Sequence, residues 1–429
     1  MKSLILFLFM AIFTVHGYAK DMAVKQAEIA KKPHKHGHQT EKIGICANPA
    51  TPPTSQCSET VTAAFGSKGE LWIAWVNNEH LYVQSSLDKG VTFTAPVKVN
   101  AVAEPIKAKG EVRPKIKLDA QGTIYLTWVR SLDKKFSAYV RFSRSNDGGK
   151  HFSEPVTVND NLAIIGHNFD SLAIGKNGEI FIAWLDARDA EAAKKAGQEF
   201  KGLALYYTWS DNGGQHFYPN KSIAAHTCEC CRIDTAIDRD NTPVIAWRHI
   251  FAGGIRDHAI VKFKDWNNPG VMQHLGRDNW EIEGCPHHGP GLSIADNGTY
   301  HAVWFSNSST RQGLFYASSK NSGQSFSSPI NFGNAGASHP HVLALGQQVA
   351  VVWQEFDGKN NGIQVIKSAD AGTSWTKPEA LVQIADMLDE PFLVSDGQKI
   401  YLSWHGQQHD YQLKPIGQTT ALHVGWGTN

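Results

Sequence analysis

The chain has 429 residues, with 41 Lys and Arg against 40 Asp and Glu, and 20 His. So even a balance excludes nucleic acid and an anionic membrane surface as main partners, because both select a strong basic excess. Six cysteines and 13 tryptophans are the residues whose placement carries most information.

In chain order, residues 1–19 open with Lys2 and an apolar run over residues 4–13, closed by small residues Gly17 and Ala19. Ten apolar residues are too few to span a bilayer, which needs about 18. The pattern predicts a secretory signal and an exported protein, periplasmic or extracellular, with no membrane span. Residues 20–56 lack strand periodicity and read as a flexible His-rich leader. His34, His36 and His38 suit either a solvated polar tail or a metal-collecting tract. Residues 43–46 are a candidate extra strand.

From residue 57 onward the chain is repetitive. Residues 123–129 alternate Ile124, Leu126 and Trp128 with Tyr125 and Thr127, the period of a pleated strand. Strands ending in Trp recur at Trp75, Trp128, Trp184, Trp247, Trp304, Trp353 and Trp404, 49 to 63 residues apart. An octapeptide S-x-D-x-G-x-x-aromatic follows five of them. It starts at Ser86, Ser145 and Ser368 with Asp in third place, and at Ser210 and Ser319 with Asn there. A period near 50 with about four strands per unit is the signature of an all-β propeller of four-stranded antiparallel blades. The count gives seven blades, with six as the alternative if one unit is split. Because the ring must close, and the last unit ends at residues 421–426 without a fourth strand, the leader is expected to supply that strand by pairing N-terminus to C-terminus.

The octapeptides resemble the Asp-boxes of the sialidase-like propeller superfamily, which includes non-enzymatic binding propellers. The resemblance extends from residue 58 to the end and implies a fold, not an activity. Sialidases of this kind hold a carboxylate with three Arg, use a Tyr–Glu nucleophile pair and keep an Asp as acid/base. Here Val112-Arg113-Pro114 is a shifted echo of the expected Arg-Ile-Pro element, and only Arg113 and Arg232 occupy inner-strand starts.

Those starts lie about 12–19 residues before each Trp and converge on the central channel in a propeller. They supply candidate substrate-binding residues Arg113, Asp170, Arg232, His339 and Glu390. The fourth and fifth units add Cys228, Cys230, Cys231, Cys285, His287 and His288. Thiolates and imidazoles at neighbouring blade entries are ligands for copper or zinc. The competing reading is disulfides, normal for six cysteines in an exported chain, with Cys46–Cys57 the plausible bridge. Since Cys230 and Cys231 are adjacent, a regular strand would point only one of them inward. The sequence therefore favours a central Cys/His site that binds a copper or zinc ion or uses it in chemistry. A sialidase-type glycoside hydrolase and a propeller binding a protein, glycan or small-molecule ligand at the channel are the alternatives.

Overall fold

The structure, a computed structural model, describes residues 44–48, 51–385, 388–406 and 409–417. The expected signal, the His-rich tract and the terminal segment 421–426 lie outside them. Two units are distinguished, Met1–Ala50 and Thr51–Asn429. In the first, Gly44–Ala47 is a 3-10 turn, closed by Asn48 N–H donating to the Ile45 carbonyl, and not the extra strand expected there. A segment this short has no ladder to join and satisfies its backbone locally.

Thr51–Asn429 is a propeller of seven antiparallel sheets arranged in chain order. The inner strands are Val61–Phe65, Lys115–Leu118, His167–Ile174, Asp234–Ile237, Gly291–Ile294, Ala337–Leu345 and Phe392–Ser395. Each neighbours the next, and the last neighbours the first, so the ring is closed. No described helix is long and apolar enough to cross a membrane.

Most of the leader and the terminal segment expected to close the ring lie outside the described residues. Among the described residues the seventh sheet has three strands, and no leader strand completes it. Blade one packs on blade seven instead, with Val61, Ala63 and Trp75 in one buried cluster with Val394, Tyr401 and Tyr411. The turn Ser55–Cys57 also lies against the strand His409–Pro415, where Ser55 Oγ donates to Asp410 Oδ1 at 2.7 Å. Among the described residues, apolar faces of the two sheets meet here without sharing a ladder.

The seven repeat tryptophans sit on the second strands of the seven sheets. Six are fully buried and Trp404 is half-buried. A buried indole needs an acceptor for its N–H. Each of the six has one: Gln84 Oε1, Glu104 Oε2, Asp186 Oδ2, His249 Nδ1, Asp278 Oδ2 and Glu355 Oε2, in chain order. Pattern and indole satisfaction therefore agree in six of the seven blades.

The octapeptide turns share one hydrogen-bond scheme. In the last copy, Ser368 Oγ donates to Asp370 Oδ1 at 2.8 Å and accepts from Gly372 N–H at 2.8 Å, while Ser374 N–H donates to Asp370 Oδ1 at 2.8 Å. Asn321 uses its amide oxygen identically, accepting from Ser319 Oγ at 2.8 Å and Ser325 N–H at 3.0 Å. Asn thus replaces Asp because the turn needs an acceptor oxygen, not a charge. Gly372 takes φ +84°, and a Cβ there would fall 1.9 Å from the Tyr316 hydroxyl.

Candidate functional site

The inner strands enclose an axial cavity of about 470 Å³ whose wall includes Arg113, Lys115, Asp170, Arg232, Asp234 and Glu390. Charged side chains collect here because the turn entering each inner strand reaches the axis at one face of the ring.

Arg113, entering blade two, makes a buried bidentate pair with Asp389, which enters blade seven. Its Nη2 and Nη1 donate to Oδ1 and Oδ2 at 2.6 and 2.9 Å. Its remaining donors reach the Gly110 and Glu390 carbonyls at 3.1 and 3.0 Å. Burial pushes the Asp389 carboxyl up to about 7, against the pull of Arg113. Arg232, entering blade four, donates from Nε and Nη2 to the carbonyls of Pro290 and Pro340 at 3.0 and 2.6 Å, and its Nη1 lies 3.5 Å from Glu111 Oε1. Both guanidiniums therefore brace the mouth of the cavity across blades.

Glu111, two residues before Arg113, is the hub of this mouth. It accepts from the main-chain N–H groups of Arg232 and Gly289 at 2.9 and 3.2 Å. The inner strand of blade six is bulged between Ser338 and His341, and His339 has a left-handed φ of +50°. This irregularity carries the His339 ring between two carboxylates. Its Nδ1 lies 3.6 Å from Glu111 Oε1 and 3.4 Å from Glu390 Oε1. Burial opposes charge on His339, but Glu390 and Glu111 outweigh it and raise its pKa. Burial also raises Glu390, whereas Glu111, though buried, is held to about 2 by the neighbouring His339 imidazole and the Arg232 charge. Asp170 is buried in the cavity wall, where Oδ2 accepts from Thr127 Oγ1 at 2.5 Å and Oδ1 has no partner.

The cysteines form a separate group. Cys228, Cys230 and Cys231 are buried free thiols whose sulfurs all lie within 4.8 Å of one another. Cys228 Sγ is 3.8 Å from Cys230 Sγ and 3.4 Å from Cys231 Sγ. Only one of the adjacent pair was expected to face inward. All three converge because residues 228–231 form a turn after the strand Lys221–Thr227, so strand alternation does not apply. Arg256 Nη1 sits 3.2 Å from Cys228 Sγ and 3.0 Å from Glu229 Oε2. Donation from the Cys230 and Cys231 thiols, with Arg248 and Arg256 nearby, lowers the Cys228 pKa far below that of a free thiol. The same contacts raise Cys230, while burial raises Cys231. The contacts favour charge on Cys228 over charge on Cys230 or Cys231.

Cys285 is an exposed free thiol alongside Cys230. His287 is exposed. The ring of His288 packs on Phe305 and His339, with centroids 4.3 and 4.7 Å away, which places it at the axial mouth. Burial keeps His288 neutral, with its pKa lowered to about 3. Cys57 is disulfide-bonded.

Neither a protein-family model nor a curated protein sequence matches the chain. Solved structures do. An ulvan lyase of a polysaccharide-lyase family aligns at 10% identity over 84% of this chain and 91% of its own, with a TM-score of 0.51. A Penicillium chrysogenum α-L-arabinanase, solved with arabinobiose, aligns at 12% identity over 73% of this chain and 96% of its own, TM-score 0.50. A leech intramolecular trans-sialidase aligns at 10% identity over 81% and 82%, TM-score 0.48. The chain shares the propeller fold of the ulvan lyase and the arabinanase.

Proposed function

We propose that this seven-bladed propeller is an exported metal-binding protein whose Cys228, Cys230 and Cys231 take one soft or borderline ion, copper(I) or zinc(II). The observation that carries the reading is the convergence of three buried, unoxidised sulfurs within 4.8 Å. Thiols this close oxidise readily in an export compartment unless something occupies them. Three sulfur donors select copper(I) or zinc(II) over magnesium or calcium. Binding would release protons from these thiols, so affinity should fall as pH drops. Arg256 offsets the negative charge of a trithiolate centre, and Cys285 is a fourth sulfur at its exposed side.

The test is titration of reduced protein with copper(I) or zinc(II) against a competing chelator. One tight equivalent is expected in the wild type, with affinity lowered at least about tenfold in Cys228→Ser and Cys231→Ser. Equal affinity in both variants would overturn the reading.

A second reading is favoured by a specific observation, the charged axial cavity of about 470 Å³. That volume lies within the range of small-ligand sites, and the fold is one found in a lyase and an arabinanase acting on sugars. A short glycan held in the cavity is compatible with a thiolate metal centre elsewhere. Screening oligosaccharides by native mass spectrometry, with a fluorogenic sialoside for the sialidase form, tests it. No retained glycan and no cleavage would remove it.

A further inference from the structure

We propose that Glu111, His339 and Glu390 at the mouth of the axial cavity form a second cation site, harder than the cysteine site, for a divalent ion such as manganese or zinc. The donor atoms are in place: Glu111 Oε1, His339 Nδ1 and Glu390 Oε1 all lie within 4.8 Å of one another, with the imidazole nitrogen between the carboxylates. Two carboxylates and one imidazole suit borderline and hard divalent ions and give a thiophilic ion no advantage.

An independent observation points to a ligand. Nδ1 of His339 is buried and faces Glu390 and Glu111 at 3.4 and 3.6 Å without the alignment of a hydrogen bond, and Nδ1 of the adjoining His288 is buried with no hydrogen-bond partner. A buried imidazole nitrogen that faces two carboxylates without a well-aligned hydrogen bond is uncommon, and an ion between the carboxylates satisfies it.

Surrounding charge permits it. Asp389 already pairs with Arg113, Arg232 directs its Nε and Nη2 to carbonyls, and His288 is neutral. Arg248, behind His288, is committed to the carbonyls of His288, Arg256 and Phe305. That leaves Glu111, shared with Arg232, and Glu390, whose facing partner is His339. Main-chain donors from Arg232 and Gly289 hold Glu111 from behind, the outer contacts by which proteins orient a ligating carboxylate.

Manganese(II) alone is the probe, because it discriminates against the thiols. Isothermal titration and electron paramagnetic resonance of the whole chain should show one bound manganese with a single imidazole nitrogen coupling. Glu390→Gln and His339→Gln should each weaken binding at least about tenfold, with unchanged far-UV dichroism. The Cys228→Ser/Cys231→Ser double variant should bind manganese as the wild type does, which separates this site from the thiolate centre. No saturable binding by folded wild type at millimolar manganese, a spectrum without nitrogen coupling, or equal affinity in a folded Glu390→Gln or His339→Gln would overturn the proposal.

Discussion

Replacing Arg113 with Leu removes both short contacts to Asp389 and leaves a carboxyl that is 9% exposed without its counter-ion. Breaking a buried pair from one side costs about 3–5 kcal/mol. Asp389 has an escape, since burial already drives its carboxyl up to about 7 and loss of Arg113 drives it higher. The variant will therefore protonate Asp389 near neutrality. Below its new pKa the folded state keeps that proton while the unfolded carboxyl does not, so the penalty is small in mild acid. It grows with rising pH by up to about 1.4 kcal/mol per unit. Urea unfolding of Arg113→Leu, Asp389→Leu and the double variant at pH 6 and pH 8 measures this. The double variant should be less destabilised than the two singles combined by at least about 2 kcal/mol, with the larger difference at pH 8. Additive losses, or a penalty for Arg113→Leu that does not change with pH, would refute the reasoning and remove this pair as a tie between blades two and seven.

In the turn at Asp370, substitution by Ala should cost about 1–2 kcal/mol and by Asn much less, because the backbone donors need only an oxygen acceptor. Equal losses in urea unfolding would show that charge matters. The native reduced protein should show the absorbance of one thiolate near 240 nm between pH 5 and 7, lost on unfolding, because Cys228 is held below and Cys230 and Cys231 above a free thiol. The native state then binds one proton fewer than the unfolded chain across that window, so this group contributes stability that declines as pH falls. Arg256→Met should diminish the signal, and an unaltered spectrum would refute the assignment.

Much of the fold was legible because its determinants are local and repeated. Trp recurs at one place on the second strand of each sheet, and Ser with Asp or Asn works through contacts a few residues apart in the following turn, so periodicity exposed all seven blades. The fourth blade lacks the octapeptide and turns through Asp265 instead, whose Oδ1 accepts from Asn267 N–H at 2.9 Å. The packing of blade one on blade seven was not legible. It depends on Val61 and Trp75 meeting Val394 and Tyr411, more than three hundred residues away, through packing that leaves no strand pattern.

The mouth of the cavity was half legible. Propeller topology brings the residues before each inner strand together, and that reasoning selected Arg113, Arg232, His339 and Glu390. It could not rank Glu111 above its neighbours, because its importance comes from main-chain donors on blades four and five. Nor could it separate His287 from His288, since the left-handed φ of +55° at His287 is a property of the folded turn. At the cysteines strand alternation misled, because the chain leaves the strand at Thr227 and a turn has no two-residue period.

The central claim is that three sulfurs of one turn hold a metal ion. X-ray absorption at the metal edge of protein loaded with one equivalent of zinc(II) tests it most directly. The account predicts a sulfur-dominated shell at about 2.3 Å in the wild type, degraded in Cys228→Ser and intact in His339→Gln. A shell of nitrogen and oxygen alone at about 2.0–2.1 Å, unchanged by Cys228→Ser, would contradict it.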